Sequence, residues 1–84
     1  MIRGDVQGVG FRYFIHRRAR QLGLCGWVRN NDDGTVELVA EGEKPQLEQL
    51  QMAAEEGPRQ ARVRRVDTQW STATGGLDDF DLTG

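Results

Sequence analysis

The chain has one cysteine and one histidine in 84 residues, and that scarcity removes several kinds of chemistry at the outset. Cys25 alone can close no disulfide within the chain, and a free thiol suits a reducing compartment. A cysteine nucleophile would need His16 as its partner by coincidence, so Cys25 reads as a small residue packed at a strand start. His16, Cys25 and the scattered acids show no ligand spacing, and no metal is expected. Nor is there any run near the ~18 apolar residues of a membrane span, or the charged-then-apolar order of a signal peptide. The expectation is a protein of the cytoplasm with no membrane partner. Low-complexity tracts and internal repeats are also missing. With 37% hydrophobic residues and this length, the chain can build one modest core, hence one domain spanning residues 1–84.

Acidic residues are scarce only at the beginning. Residues 1–30 carry Arg3, Arg12, Arg17, Arg18, Arg20 and Arg29 against Asp5, a balance of +5. The remainder carries five basic and twelve acidic residues, a balance of −7, and the two sum to the overall −2. The positive part suits a small phosphorylated anion, while an acidic protein is a poor host for a long polyanion such as a nucleic acid. Arg17, Arg18 and Arg20 read mostly as the solvated face of a helix.

Within the positive part, Val6-Gln7-Gly8-Val9-Gly10-Phe11 leads straight into Arg12. Glycines at 8 and 10 admit positive φ, so successive backbone N–H groups can converge on one anion. Arg12 adds a planar fork that matches two phosphate oxygens. Gln7, Gly8, Val9, Gly10, Phe11 and Arg12 are therefore candidate phosphate ligands. Taken alone, such a stretch also describes an ordinary glycine-rich turn followed by a surface arginine.

Met1 to Val6 reads as a short strand, and Phe11 to about Leu22 as a helix with Phe11, Phe14, Ile15, Ala19 and Leu22 on one face. Gly23 stops it. Leu24 to Asn31 and Thr35 to Glu41 flank Asp33-Gly34, a strong hairpin signal. Val36, Leu38 and Ala40 share one face of the second of these strands. Pro45 fits the first turn of a second helix reaching about Glu56, with Leu47, Leu50 and Ala54 inward, before Gly57-Pro58 breaks it. Arg62 to Ser71 and Asp79 to Leu82 supply the last strands, with a turn at Gly75-Gly76 between them. The order β-α-β-β-α-β is that of an α+β, ferredoxin-like sandwich with two helices on one face of an antiparallel sheet.

Two blocks stand in order along this plan: Gly4-Asp5-Val6-Gln7-Gly8-Val9-Gly10-Phe11-Arg12, and Gly26-Trp27-Val28-Arg29-Asn30-Asn31-Asp32-Asp33-Gly34-Thr35-Val36-Glu37. They resemble the two signatures of the acylphosphatase family, a G-x-V-Q-G-V-x-F-R loop and a G-W-V-x-N-x-x-D-G-T-V-E hairpin. A looser likeness covers nearly the whole chain. The resemblance implies metal-independent hydrolysis of the carboxyl-phosphate bond of small acyl phosphates, with no cofactor and with inorganic phosphate as product and inhibitor. It implies that Arg12 binds the substrate phosphate and that Asn30 positions the attacking water, whose proton passes to the substrate's own phosphate. A monomer is expected. Two departures stand out: the first strand has few residues before the cradle, which should weaken a strand central to this topology, and Asn31 occupies a position often threonine in relatives, with at most a mild effect.

His16, four residues after Arg12, could share its helix face, but reads more simply as a partly exposed residue among arginines. Trp27 and Trp70 read as core or sheet-face packing. The alternative function is a non-catalytic, phosphate- or ligand-binding regulatory module of the same fold, or part of a larger carbamoyl-phosphate-handling protein. An RNA-binding version would stack bases on sheet-face aromatics, and Thr35 to Glu41 contains none.

Overall fold

The computed structural model describes residues 1–71 and 75–83. The elements run β1 (Ile2–Asp5), α1 (Phe11–Gln21), β2 (Cys25–Asn30), β3 (Val36–Glu41), α2 (Lys44–Glu56), β4 (Arg62–Val66) and β5 (Phe80–Thr83). Helix α1 forms where the sequence places an apolar residue every fourth position, and Phe11, Ile15 and Ala19 are the residues it buries. Phe14 and Leu22 pack at its flanks. Arg18 and Arg20 fall in its last turn, where the helix dipole favours cations. Helix α2 begins with Pro45 in its first turn and buries Leu50 and Ala54.

The five strands form one sheet in the order β4-β1-β3-β2-β5. The pairs β1–β4, β1–β3 and β2–β3 are antiparallel, which reproduces the ferredoxin-like core. Strand β5 adds beside β2 in the parallel sense, Gly26 opposite Phe80 and Arg29 opposite Thr83, so the complete sheet is mixed, not antiparallel throughout. The parallel sense follows from the connection. β5 arrives after β4 at the far edge, crosses the molecule and takes the outer side of β2. Both helices contribute to one core cluster in which Ile2, Val6, Val28, Val36 and Phe80 meet Phe11, Ile15, Ala19, Leu50 and Ala54. Each of these side chains other than the two alanines contributes about 1.5–3 kcal/mol when fully buried.

Strand β1 is short and central. It meets β3 at Ile2–Val36 and β4 along Ile2–Val66 to Asp5–Arg62, and the amide of Asp67 extends that ladder by donating to the Met1 carbonyl at 2.9 Å. β4 pairs with β1 as far as Ile2–Val66 and ends at Val66, short of the expected Ser71. Trp70 consequently lies outside the sheet with 50% of its surface exposed, a correction to its expected packing role. Trp27 does lie on the sheet, half-buried, with the Arg29 guanidinium carbon 5.0 Å from its ring centroid.

Candidate active site

The turn from β1 into α1 is shaped by two glycines, Gly8 at φ 75° and Gly10 at φ 77°. No non-glycine residue among those described has positive φ, so Val9 between them is of the opposite hand. That alternation turns consecutive N–H groups toward a common point. A side chain at either glycine would meet nothing within 4 Å. Conformation is the constraint, since an L-residue loses roughly 1–2 kcal/mol in the left-handed region. Val9 packs partly against the core and Phe11 is 1% exposed, so the loop is pinned from beneath.

Gly10 is also the N-cap of α1, with no side-chain cap and no acid in the first turn. The first helical bond is Phe14 N–H to the Gly10 carbonyl at 3.0 Å. The N–H groups of Gly10 to Tyr13 have no carbonyl one turn behind them, and the positive end of the dipole adds to their pull on an anion.

Two long-range anchors fix this cradle against the rest of the fold. At one end, Gln7 Nε2 donates to the carbonyls of Asn31 at 2.7 Å and Thr35 at 2.9 Å, tying the loop to the β2–β3 hairpin. At the other, Arg12 Nη1 donates to the carbonyl of Thr83 at 2.8 Å. Thr83 stands opposite Arg29 in the β2–β5 ladder. The two anchors therefore attach to the residues on either side of Asn30: Asn31 directly, and Arg29 through its strand partner. Gln7 thus reaches the site through its side chain as a brace, beyond the backbone role foreseen for it.

Asn30 ends β2 opposite Val36 and, by strand alternation, faces the same way as the buried Val28, toward the helix layer. Its Oδ1 is buried and accepts no hydrogen bond from the chain. A buried acceptor left unmade costs roughly 1–3 kcal/mol, and Gln46 Oε1 on α2 is in the same state.

The hairpin that presents Asn30 is held by side chains. The Asp33 carboxylate accepts from the Thr35 hydroxyl at 2.6 Å and from its N–H at 3.0 Å, and these bonds hold Asp33 below the usual carboxylate range. Asn31 Nδ2 donates to Thr35 Oγ1 at 3.0 Å and Glu37 Oε1 at 3.2 Å. Glu37 also accepts from Arg29 Nη2 at 2.9 Å, and Arg29 first, then Asn31, lower its pKa. Asn31 thus joins Thr35 and Glu37 across the hairpin. The sequence carried a signal for Asp33 and Thr35 in the turn, but none for Thr83 or Glu37 as anchors.

His16 lies elsewhere on α1. It lines a shallow groove of about 540 Å³ with Tyr13, Arg17, Arg20 and Gln21, none of them a cradle residue, and its ring stands 6.2 Å from that of Phe80. Among the described residues no group of three or more His, Cys, Asp or Glu side chains could hold a metal ion, and no helix is long and apolar enough to cross a membrane.

The fold is a small α+β domain of ferredoxin-like topology in which a two-glycine turn at the head of α1 is hydrogen-bonded to the hairpin that carries Asn30. The family model for acylphosphatase matches residues 1–82, and the chain belongs to the acylphosphatase family. An acylphosphatase of Salinibacter ruber is 56% identical over 79 residues, covering 94% of this chain and 83% of that one. The crystal structure of acylphosphatase from Bacillus subtilis superposes with a TM-score of 0.95 at 37% identity, covering 99% of this chain and 92% of that one. HypF of T. kodakarensis also resembles the chain, with a TM-score of 0.82 and 31% identity over 98% of this chain but 11% of that one. The same fold thus also occurs as a small part of a longer protein.

Proposed function

We infer that this chain is an acylphosphatase, hydrolysing the carboxyl-phosphate bond of acyl phosphates to a carboxylate and inorganic phosphate. The observation that carries the reading is the pair of anchors that ties the cradle and Arg12 to the two neighbours of Asn30, in a chain 56% identical to an acylphosphatase over 94% of its length.

An acyl phosphate is a mixed anhydride, and its carboxylate leaves readily without activation. The reaction then needs charge stabilisation and a placed water. The N–H groups of residues 7–12 hold the phosphoryl oxygens at the head of α1. Arg12 spends one donor on Thr83 and keeps the rest of its fork for two of those oxygens. Asn30 aims a water at phosphorus, in line with the departing carboxylate. The water oxygen bonds to phosphorus, the bridging P–O bond breaks with its electron pair passing to the carboxylate, and the water's proton goes to a phosphate oxygen. Cradle and arginine stabilise most strongly when the phosphoryl group is metaphosphate-like and its charge is spread over three oxygens. No step calls for a metal. The reading extends to a cytoplasmic monomer acting on small molecules and inhibited by its product phosphate.

The test is release of inorganic phosphate from acetyl phosphate or benzoyl phosphate by the purified chain in the presence of a chelator. Turnover that persists supports the reading; binding of phosphate with no turnover would instead favour a regulatory module.

A further inference from the structure

Glu37 stands opposite Arg29 in the β2–β3 ladder, and Asn30 lies opposite Val36. One oxygen of its carboxylate, Oε1, accepts from Arg29 Nη2 at 2.9 Å and from Asn31 Nδ2 at 3.2 Å. A single atom thus grips both chain neighbours of Asn30. It does so from the sheet face opposite Asn30 itself, because residues 29 and 31 alternate with residue 30. Asn30–Val36 is the last register pair of β2 and β3, and beyond it the hairpin backbone is joined by Asn31 N–H donating to the Thr35 carbonyl at 2.9 Å, so the placing of Asn30 depends on how Arg29 and Asn31 are held. Arg29 is further steadied by lying over the Trp27 ring, and Asn31 by the Thr35 hydroxyl.

We propose that Glu37 is a positioning residue for the reaction: it fixes the twist of the β2 terminus and so the direction in which the Asn30 carboxamide presents its water. This rests on the role given to Asn30 above. Glu37 touches neither substrate nor cradle. A positional error of about 1 Å at a reacting group costs up to roughly 100-fold in rate, whereas the anion-binding loop takes its shape from Gly8 and Gly10 and its seat from Val9 and Phe11, so a change in β2 that reaches it through Gln7 on the Asn31 carbonyl weakens phosphate binding less than it slows the reaction.

The experiment compares kcat for acetyl phosphate and the inhibition constant for inorganic phosphate in the parent, Glu37→Ala, Glu37→Gln and Arg29→Met. The expected result is a fall in kcat of about ten-fold or more for Glu37→Ala with the phosphate constant within about two-fold of the parent, recovery to within about three-fold of the parent in Glu37→Gln, which keeps an acceptor oxygen at the same place, and a partial loss in Arg29→Met, which frees one arm of the grip. Parent-like kcat in Glu37→Ala would overturn the proposal, as would a matching loss of phosphate affinity or an equal fall in Glu37→Gln. If Glu37→Ala fails to fold, a parent-like kcat in Arg29→Met overturns it equally. Should the parent itself not turn over acetyl phosphate, the hydrolytic reading fails, and that result is separate from any comparison among variants.

Discussion

Arg12 and Thr83, 71 positions apart, are joined by a 2.8 Å hydrogen bond from the guanidinium to the backbone carbonyl of β5. An arginine at a helix start would otherwise sweep a wide volume. Tied at one N–H, it keeps a defined plane and still offers the other donors of its fork.

This arrangement makes the substitution of charge for charge informative. Arg12→Lys must either hold Thr83 or reach the anion, because a compact ammonium cannot do both in a planar geometry. A loss of at least ten-fold in kcat/KM is expected, since one charge-assisted bond is worth about 1.5–3 kcal/mol. Arg17→Lys, on the outer face of α1, should stay within about two-fold. Steady-state kinetics on both variants decides; equal losses would mean that diffuse positive potential, not a fixed fork, serves the site.

Inorganic phosphate and sulfate should compete with substrate, because the cradle reads only the phosphoryl end. Inhibition patterns measured against acetyl phosphate should converge at unchanged maximal velocity. Saturating phosphate that left turnover untouched would remove the cradle from the mechanism.

Asp33, lowered through Thr35, Glu37, lowered through Arg29 and Asn31, and Asp67, lowered through Arg65 and Arg3, share one sign. A folded-state value below the unfolded one gives stability that is complete above the ordinary carboxylate range and lost as pH falls through the depressed value. Urea unfolding at pH 7 and at about pH 3 should therefore show Glu37→Gln less stable than the parent at pH 7, with the gap closing in acid as Glu37 itself takes up a proton. A gap that widens in acid would contradict the hydrogen-bonding cause.

His16 provides the test for a protein base. General base catalysis is typically worth about 10² to 10⁴-fold, and histidine is the side chain whose ordinary titration falls between pH 5 and 8. His16→Gln should remain within a few-fold of the parent, and the kcat profile of both should lack a histidine limb. A steep limb erased by that substitution would refute proton transfer to the substrate's own phosphate.

What the sequence revealed and what it hid divide by the kind of interaction. Phe11, Ile15 and Ala19 mark α1 by spacing alone, and Asp33-Gly34 marks the hairpin by turn chemistry; both are local codes, and both elements fall within a residue or two of expectation. The anchors are different. Gln7 and Arg12 donate to carbonyls of Asn31, Thr35 and Thr83, and every residue owns a carbonyl, so no letter in the sequence announces the acceptor. The parallel seating of β5 and the early end of β4, which leaves Trp70 outside the sheet, likewise depend on which strand lies alongside, a fact of topology and not of local pattern. Glu37 was visible as part of a motif, but its hold on both neighbours of Asn30 needs the register of β2 against β3.

The most direct test of the account is Asn30→Ala, measured for kcat on acetyl phosphate and, in the same preparation, for phosphate affinity by isothermal titration. Asn30 is assigned to the water and residues 7–12 to the anion, so kcat should fall about 100-fold or more while the dissociation constant for phosphate stays within about two-fold of the parent. A variant that kept most of its turnover, or lost phosphate affinity by the same factor as rate, would contradict that division of labour.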